Sequence, residues 1–292
     1  MSKLATVLRM VKFEHSIFAL PFALGGALLA ANGRPPVSDL VLIVLAAVFA
    51  RTTAMAFNRL VDRRYDATNP RTAQRELVSG ELAVGWTWGF TVCCATGFFA
   101  CAYLLAPICG WLALPVLVIL CGYSLLKRFT VLCHFGLGIA LACAPAGAWL
   151  AVSKGFLPGW ELPLWIGGGV VLWVAGFDLL YAILDIEHDR KSGLHSLPAR
   201  LGAERTRFVA AFLHLAAVLC WYYFGNLAKL GGGYSLGLVL VGGLLLVEHL
   251  MLLGGGLHRI PAAFFTVNAW IGPAWLSGLV FSLPPDSAIL IG

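Results

Sequence analysis

Three oxygen-bearing side chains, Asn58, Asp62 and Asp66, follow one another at four-residue steps. Asp185 and Asp189 repeat the step later, with Tyr181 one turn before Asp185 and Asp178 nearly two turns before. On a helix such spacing lines side chains along one face, about 6 Å apart per step. Carboxylates and an amide oxygen are hard donors of the kind Mg²⁺ takes, and Mg²⁺ keeps waters and completes its shell with substrate phosphate. The chain has no Cys/His cluster of zinc type, no Walker-type glycine loop and no dinucleotide-binding glycine fingerprint. The pattern predicts a diphosphate held through metal, with Asn58, Asp62, Asp66, Asp185 and Asp189 as ligands.

The stretch 58–80 also carries five Arg, two Asp and one Glu in a chain that is only 12% charged. A diphosphate needs positive charge as it is held and as it leaves, and Arg71, Arg75 and Lys127 are placed to provide it. The bland alternative is a solvated loop with helical ion pairs, Asp62 with Arg59 or Asp66 with Arg63. Arg59, Arg63, Arg64, Arg190, Lys191, Arg205 and Arg207 read as topology signals on a solvated surface. Arg51 differs, because it falls inside an apolar helix two turns before Asn58. A charge there faces a cavity or a partner, so Arg51 is either the structural mate of an Asp or the ligand of an acceptor carboxylate. Asp178, equally apolar in its surroundings, reads as metal shell, proton acceptor or partner of an Arg. His15 could cap the first span at the interface; His134, His214 and His249 read as helix polar groups, and His188, His195 and His258 as loop residues.

The elements that must position these groups are membrane helices. The chain is 60% hydrophobic with a mean hydropathy of +0.87, and its long apolar runs lack strand alternation, so it is expected to cross a bilayer as helices. Nine spans are predicted, at 14–31, 38–60, 82–105, 109–126, 131–152, 162–184, 206–225, 234–253 and 262–282. They form one domain, 1–292, an all-α integral membrane bundle with a central cavity opening to the cytoplasmic face. Sixteen of the twenty Lys and Arg then fall on one side and three on the other, with Arg51 inside a span. The positive-inside rule sets that side, with the N-terminus and both acidic motifs, in the cytoplasm of an inner-membrane protein whose C-terminus lies outside. The net charge of +6 is thus a topology signal rather than a nucleic-acid one. Eight scattered Cys without a CxxC read as small buried hydrophobes. The Trp and Phe read mostly as lipid-facing or belt residues, with a few lining an apolar tunnel.

At these residues the chain resembles the UbiA superfamily of membrane-embedded prenyltransferases. The resemblance spans the whole chain: NxxxDxxxD after the second helix, YxxxDxxxD after the sixth, Arg51 seven before Asn58, Asp178 seven before Asp185, and Tyr123-Ser-Leu-Leu-Lys127 between the fourth and fifth helices. The opening Lys12-Phe-Glu-His-Ser-Ile-Phe-Ala-Leu-Pro-Phe-Ala is similar to the branch that prenylates hydroxybenzoate or related aromatic acids. Many relatives have Asn-Arg-Pro-Leu-Pro-Ser-Gly where this chain has Gln74-Arg75-Glu76-Leu77-Val78-Ser79-Gly80, so the loop is expected to be looser. The second motif also carries Glu187 and His188 between its aspartates.

The resemblance implies a polyprenyl diphosphate donor held by two Mg²⁺ on Asn58, Asp62, Asp66, Asp185 and Asp189, with Arg71, Arg75 and Lys127 as clamps. Tyr123 and Tyr181 are then expected at the diphosphate and acceptor pocket. The C–O bond ionises to an allylic cation in a dry pocket, a carboxylated phenol held at Arg51 attacks through a ring carbon, and a proton leaves. The acceptor is expected to be 4-hydroxybenzoate in ubiquinone-type biosynthesis, or alternatively a dihydroxynaphthoate in menaquinone biosynthesis. A phosphatidyltransferase is disfavoured by the missing DG…AR…G…D…D run. An ion- or proton-coupled transporter is disfavoured because the polar residues gather at one face instead of crossing the membrane.

Overall fold

The structure, a computed structural model, describes residues 3–12, 18–253 and 260–283. Among these residues it is helical and has no strand. In chain order the helices are α1 (Lys3–Val11), α2 (Leu20–Ala30), α3 (Val37–Val61), α4 (Arg63–Thr68), α5 (Val84–Leu105), α6 (Pro107–Leu126) and α7 (Cys133–Ser153). There follow α8 (Leu162–Ala182), α9 (Ile186–Lys191), α10 (Leu197–Leu201), α11 (Ala203–Leu227), α12 (Gly232–Leu253), α13 (Ile260–Ala262) and α14 (Asn268–Ser282).

Among the described residues, seven helical stretches are long and apolar enough to cross a membrane: α3, α5, α6, α7, α8 with its continuation to Lys191, α11 and α12. The first and last expected spans take a different form. α2 is 11 residues long. α14 is 15 residues long and follows a π-helical stretch, Ala263–Val267. His15, His258 and the glycines 254–256 lie outside the described residues.

Both motifs depart from the expected straight helix faces. α3 stops at Val61, and Asp62 sits between α3 and α4 with φ −91° and ψ 1°. α8 likewise tightens into a 3-10 turn, Ile183–Asp185, before α9. The four-residue spacing thus straddles a break in each case. The break turns the later carboxylates inward at the end of the bundle, where Asp66, Asp185 and Asp189 are buried.

The bundle closes around aromatic side chains, which corrects the lipid-facing reading for part of the set. Trp149, Trp173, Trp221 and Trp275 are wholly buried. Phe22 of α2 sits among three of them, stacked on Trp221 at 5.4 Å between ring centroids and tilted against Trp275 at 4.9 Å. Such rings bury large apolar area and prefer offset or edge contacts. Trp111, Phe208, Phe212 and Phe281 are exposed on the outside, where a bilayer would cover them.

Close approach of α7 and α8 depends on Gly138: a Cβ there would come within 2.7 Å of the Val171 carbonyl oxygen. Small residues at helix crossings are how membrane helices gain van der Waals contact. All eight cysteines are free thiols, as their scatter suggested.

Candidate active site

At the end of the bundle where α3, α6 and α8 finish, a polar cavity of about 1030 Å³ opens. Its walls bring together Asn58, Asp62 and Asp66 with Asp178, Asp185 and Asp189, residues far apart in sequence. Arg71, Arg75, Tyr123, Lys127 and Tyr181 line the same cavity. Eleven of the twelve expected residues named from the motifs and loops therefore converge here.

The twelfth, Arg51, lines a second cavity of about 1080 Å³. That cavity is walled by small and branched apolar side chains, including Ala23, Ile43, Ala46, Ala102, Leu105 and Ala113. Tyr123 and Leu137 line both cavities, so the apolar one adjoins the polar one there.

Each motif carboxylate holds a cation. Arg71 grips Asp185 from Nε and Nη2 and donates from Nη1 to Tyr181 Oη at 3.1 Å. Arg75 Nη1 donates to Asp66 Oδ1 at 2.6 Å. Lys127 Nζ lies 2.7 Å from Asp189 Oδ1. Arg128 Nη2 lies 3.2 Å from Asp62 Oδ1 and donates to the Val61 carbonyl at 2.7 Å. Asn58 Nδ2 donates to Asp62 Oδ2 at 2.8 Å. The helical pairs Asp62–Arg59 and Asp66–Arg63 do not form. Long-range partners win because the helix break at Asp62 turns both carboxylates into the cavity.

The electrostatics follow from these pairs. Burial pushes the Asp62 carboxyl above the ordinary carboxylate range, the Arg128 hydrogen bond opposes that, and Asp66 reinforces it. Burial disfavours the Lys127 charge, but Asp189 outweighs it and holds the ammonium above its ordinary pKa. The Arg71 guanidinium is likewise buried, and Asp185 keeps it above its ordinary value.

Several residues at the site escaped the sequence reading. Asn69 Nδ2 donates to Asp185 Oδ1 at 2.9 Å, and Ser196 Oγ donates to Asp189 Oδ2 at 2.7 Å. Arg128 carried a weak signal as the neighbour of Lys127. His134, read as a helix polar group, instead lies 2.6 Å through Nδ1 from Asp178 Oδ2 and lines the cavity. Asp178 therefore pairs with His134 and, among the described residues, with no Arg. Arg59, read as solvated surface, is 6% exposed, and its Nε reaches the Met10 carbonyl at 3.4 Å.

The donor set suits Mg²⁺. The oxygen donors are all hard, and they come from two separate stretches of the chain. Among the described residues no three His, Cys, Asp or Glu are grouped so as to hold an ion by themselves. Mg²⁺ typically takes one or two carboxylates and fills its shell from phosphate and water.

A family model, that of the UbiA prenyltransferase family, matches residues 19–272. The chain belongs to the UbiA prenyltransferase family. A solved UbiA homolog from Aeropyrum pernix K1 is 33% identical, with a TM-score of 0.83 over 92% of this chain and 98% of that one. A UbiA homolog from Archaeoglobus fulgidus, solved with GPP and Mg²⁺ bound, shares the fold at 21% identity, with a TM-score of 0.68 over 95% of this chain and 99% of its own. Among curated relatives, a 4-hydroxybenzoate octaprenyltransferase of Paracidovorax citrulli is 30% identical over 284 residues, 96% of this chain and 94% of the relative. One of the same name from Pseudoalteromonas translucida is 29% identical over 256 residues. The chain is thus a multi-pass membrane prenyltransferase.

Proposed function

We propose that this UbiA protein transfers a polyprenyl group from polyprenyl diphosphate to a ring carbon of 4-hydroxybenzoate, in a Mg²⁺-dependent step of ubiquinone-type quinone biosynthesis. The observation that carries the reading is the junction of the two cavities. A charge-lined chamber suited to a diphosphate adjoins, at Tyr123 and Leu137, an apolar one suited to a prenyl chain, and that one holds Arg51. The names of the curated relatives and the ligands of the Archaeoglobus protein support the same substrate classes.

In this reading Asn58, Asp62 and Asp66 on one wall, and Asp185 and Asp189 on the other, would hold two Mg²⁺. The metal, when bound, supplies positive charge to the diphosphate as its C–O bond breaks. Arg71, Arg75, Lys127 and Arg128 turn from the carboxylates to phosphate oxygens, so binding exchanges one set of ion pairs for another. The apolar walls exclude water from the allylic cation. Arg51 takes the acceptor carboxylate and points the ring toward the cation, and Asp178 accepts the proton that leaves the ring. Nine spans, with the chamber and the N-terminus on the cytoplasmic side, complete the reading; α2 and α14 belong to the first and last.

The test is an assay of the purified protein with a long-chain prenyl diphosphate, Mg²⁺ and either 4-hydroxybenzoate or a dihydroxynaphthoate. Prenylated 4-hydroxybenzoate is expected. Turnover of the naphthoate alone moves the protein to the menaquinone branch, and no product with either acceptor refutes an aromatic-acid substrate.

A further inference from the structure

Five aspartates line the polar cavity, and four of them hold an Arg or a Lys. The fifth, Asp178, holds an imidazole. His134 Nδ1 lies 2.6 Å from Asp178 Oδ2, and the two are unequally placed: the His side chain is 3% exposed and the Asp side chain 29%. The carboxylate thus faces the chamber and the ring stands behind it. The close approach of α7 and α8 at Gly138, one turn from His134, sets the pair face to face.

The choice of partner has a consequence. A long Arg or Lys offers a cation that a diphosphate would pull away. The short His134 ring is almost wholly buried behind the carboxylate, so it orients Asp178 through Nδ1 without swinging out to a phosphate. We infer that His134 is a positioning residue that sets Asp178 up as the base of the reaction, and that this pair is reserved for proton removal while the other four carboxylates serve the diphosphate. The inference rests on the aromatic acceptor proposed above.

The step balances simply. Once the ring carbon has bonded to the prenyl C1 and diphosphate has left, that carbon carries both the prenyl group and its original hydrogen. Its C–H bond breaks, the electron pair returns to the ring and restores aromaticity, and the proton passes to Asp178. His134 keeps its own Nδ1 proton and its hydrogen bond throughout. Nothing is oxidised or reduced. Asp178 touches the reacting atoms; His134 acts through it.

The experiment uses the full chain in lipid nanodiscs with Mg²⁺ and a long-chain prenyl diphosphate. It compares ordinary 4-hydroxybenzoate with the form deuterated at the two ring carbons beside the hydroxyl. In the wild type, ring deuteration is expected to leave the rate unchanged. H134F is expected to lower kcat at least about tenfold, within the range for loss of an aligned base. It should leave the donor's KM near the wild-type value and make the rate sensitive to ring deuterium, because proton removal has become slow. H134N, whose amide N–H can stand where Nδ1 stands, is expected to recover rate and to lose the isotope effect. A slow H134F with no isotope effect, or an H134N no faster than H134F, assigns His134 a structural role and overturns the inference. If H134F fails to fold, the isotope effect and rate of H134N beside those of H134Q decide it, Asn being expected to be the faster. A wild type that prenylates neither form refutes the acceptor instead, so the two failures are distinguishable.

Discussion

Arg71 holds Asp185 with two parallel hydrogen bonds, Nε to Oδ1 at 3.0 Å and Nη2 to Oδ2 at 2.6 Å, clasping the loop after the first motif to the second motif. Only a guanidinium makes this fork. R71K keeps the charge and loses the geometry. Hydrogen bonds to charged groups are worth about 1.5–3 kcal/mol, so kcat/KM for the prenyl diphosphate is expected to fall roughly ten- to a hundredfold. Steady-state kinetics at saturating acceptor check this; an unchanged value means the fork is replaceable by a point charge.

The cation on each motif carboxylate bears on metal binding. In the proposed function Mg²⁺ would have to compete with Arg128 for Asp62 and with Arg71 for Asp185. The diphosphate would relieve that competition by attracting the cations. D62N and D185N would each remove a ligand charge. Losing even an outer partner of a metal site costs about 10- to 100-fold in affinity. The Mg²⁺ concentration for half-maximal rate is therefore expected to rise at least about tenfold in either variant. Wild-type activity at low Mg²⁺ would remove these residues from the metal site.

How far the sequence revealed this site depends on what kind of contact made it. The spacing of Asn58, Asp62 and Asp66, and of Asp185 and Asp189, was legible because a motif is local, and hydropathy marked the long helices because a bilayer demands them. The breaks at Asp62 and at Ile183–Asp185 were hidden, since no Pro or Gly announces them. The pairing of His134 with Asp178 depends on how α7 packs on α8, which no local pattern encodes. Arg59 looked like one more loop cation until α1 covered it. The loss of two prolines suggested a looser loop at 74–80. Instead Glu76 pairs with Arg9 at 2.8 Å, and Leu77 is buried against α1.

In the proposed function Arg51 separates the two substrates. It lines the apolar cavity, apart from the cluster of cations that face the chamber. R51A is expected to raise KM for 4-hydroxybenzoate by about tenfold or more, as loss of a charged hydrogen bond implies, and to change the donor's KM far less. Titrating each substrate against a saturating level of the other reads this out. A larger effect on the donor reassigns Arg51 to the diphosphate.

The apolar cavity is kept open by small side chains, among them Ala46, Ala102 and Ala113. A102F fills space that a long prenyl chain would need, while overpacking itself costs typically 1–3 kcal/mol, roughly the scale at which such cores still fold. kcat/KM is expected to fall at least about tenfold for a long donor and to stay near wild type for geranyl diphosphate. An equal loss for both donors would place the chain elsewhere.

α1 pins the loop that carries Arg71 and Arg75. Val7, Met10 and Val11 pack with Ala56, Leu77 and Leu82, and the Met10 side chain is wholly buried. Arg9 reaches Glu76 and Glu81, Arg59 donates to the Met10 carbonyl, and Arg63 Nε donates to the Leu77 carbonyl at 3.1 Å. Arg9 is itself exposed, so its ion pairs are screened and weak, and the apolar contact carries the docking. Met-to-Ala changes at buried sites cost about 2–5 kcal/mol. M10A is therefore expected to free the loop locally: trypsin should cut faster after Arg71 and Arg75, and the donor's KM should rise. R9A should do much less of both. Added prenyl diphosphate with Mg²⁺ should slow the cleavage in M10A by drawing both arginines back into the chamber. Cleavage of M10A at the wild-type rate would show that the loop holds its shape without α1.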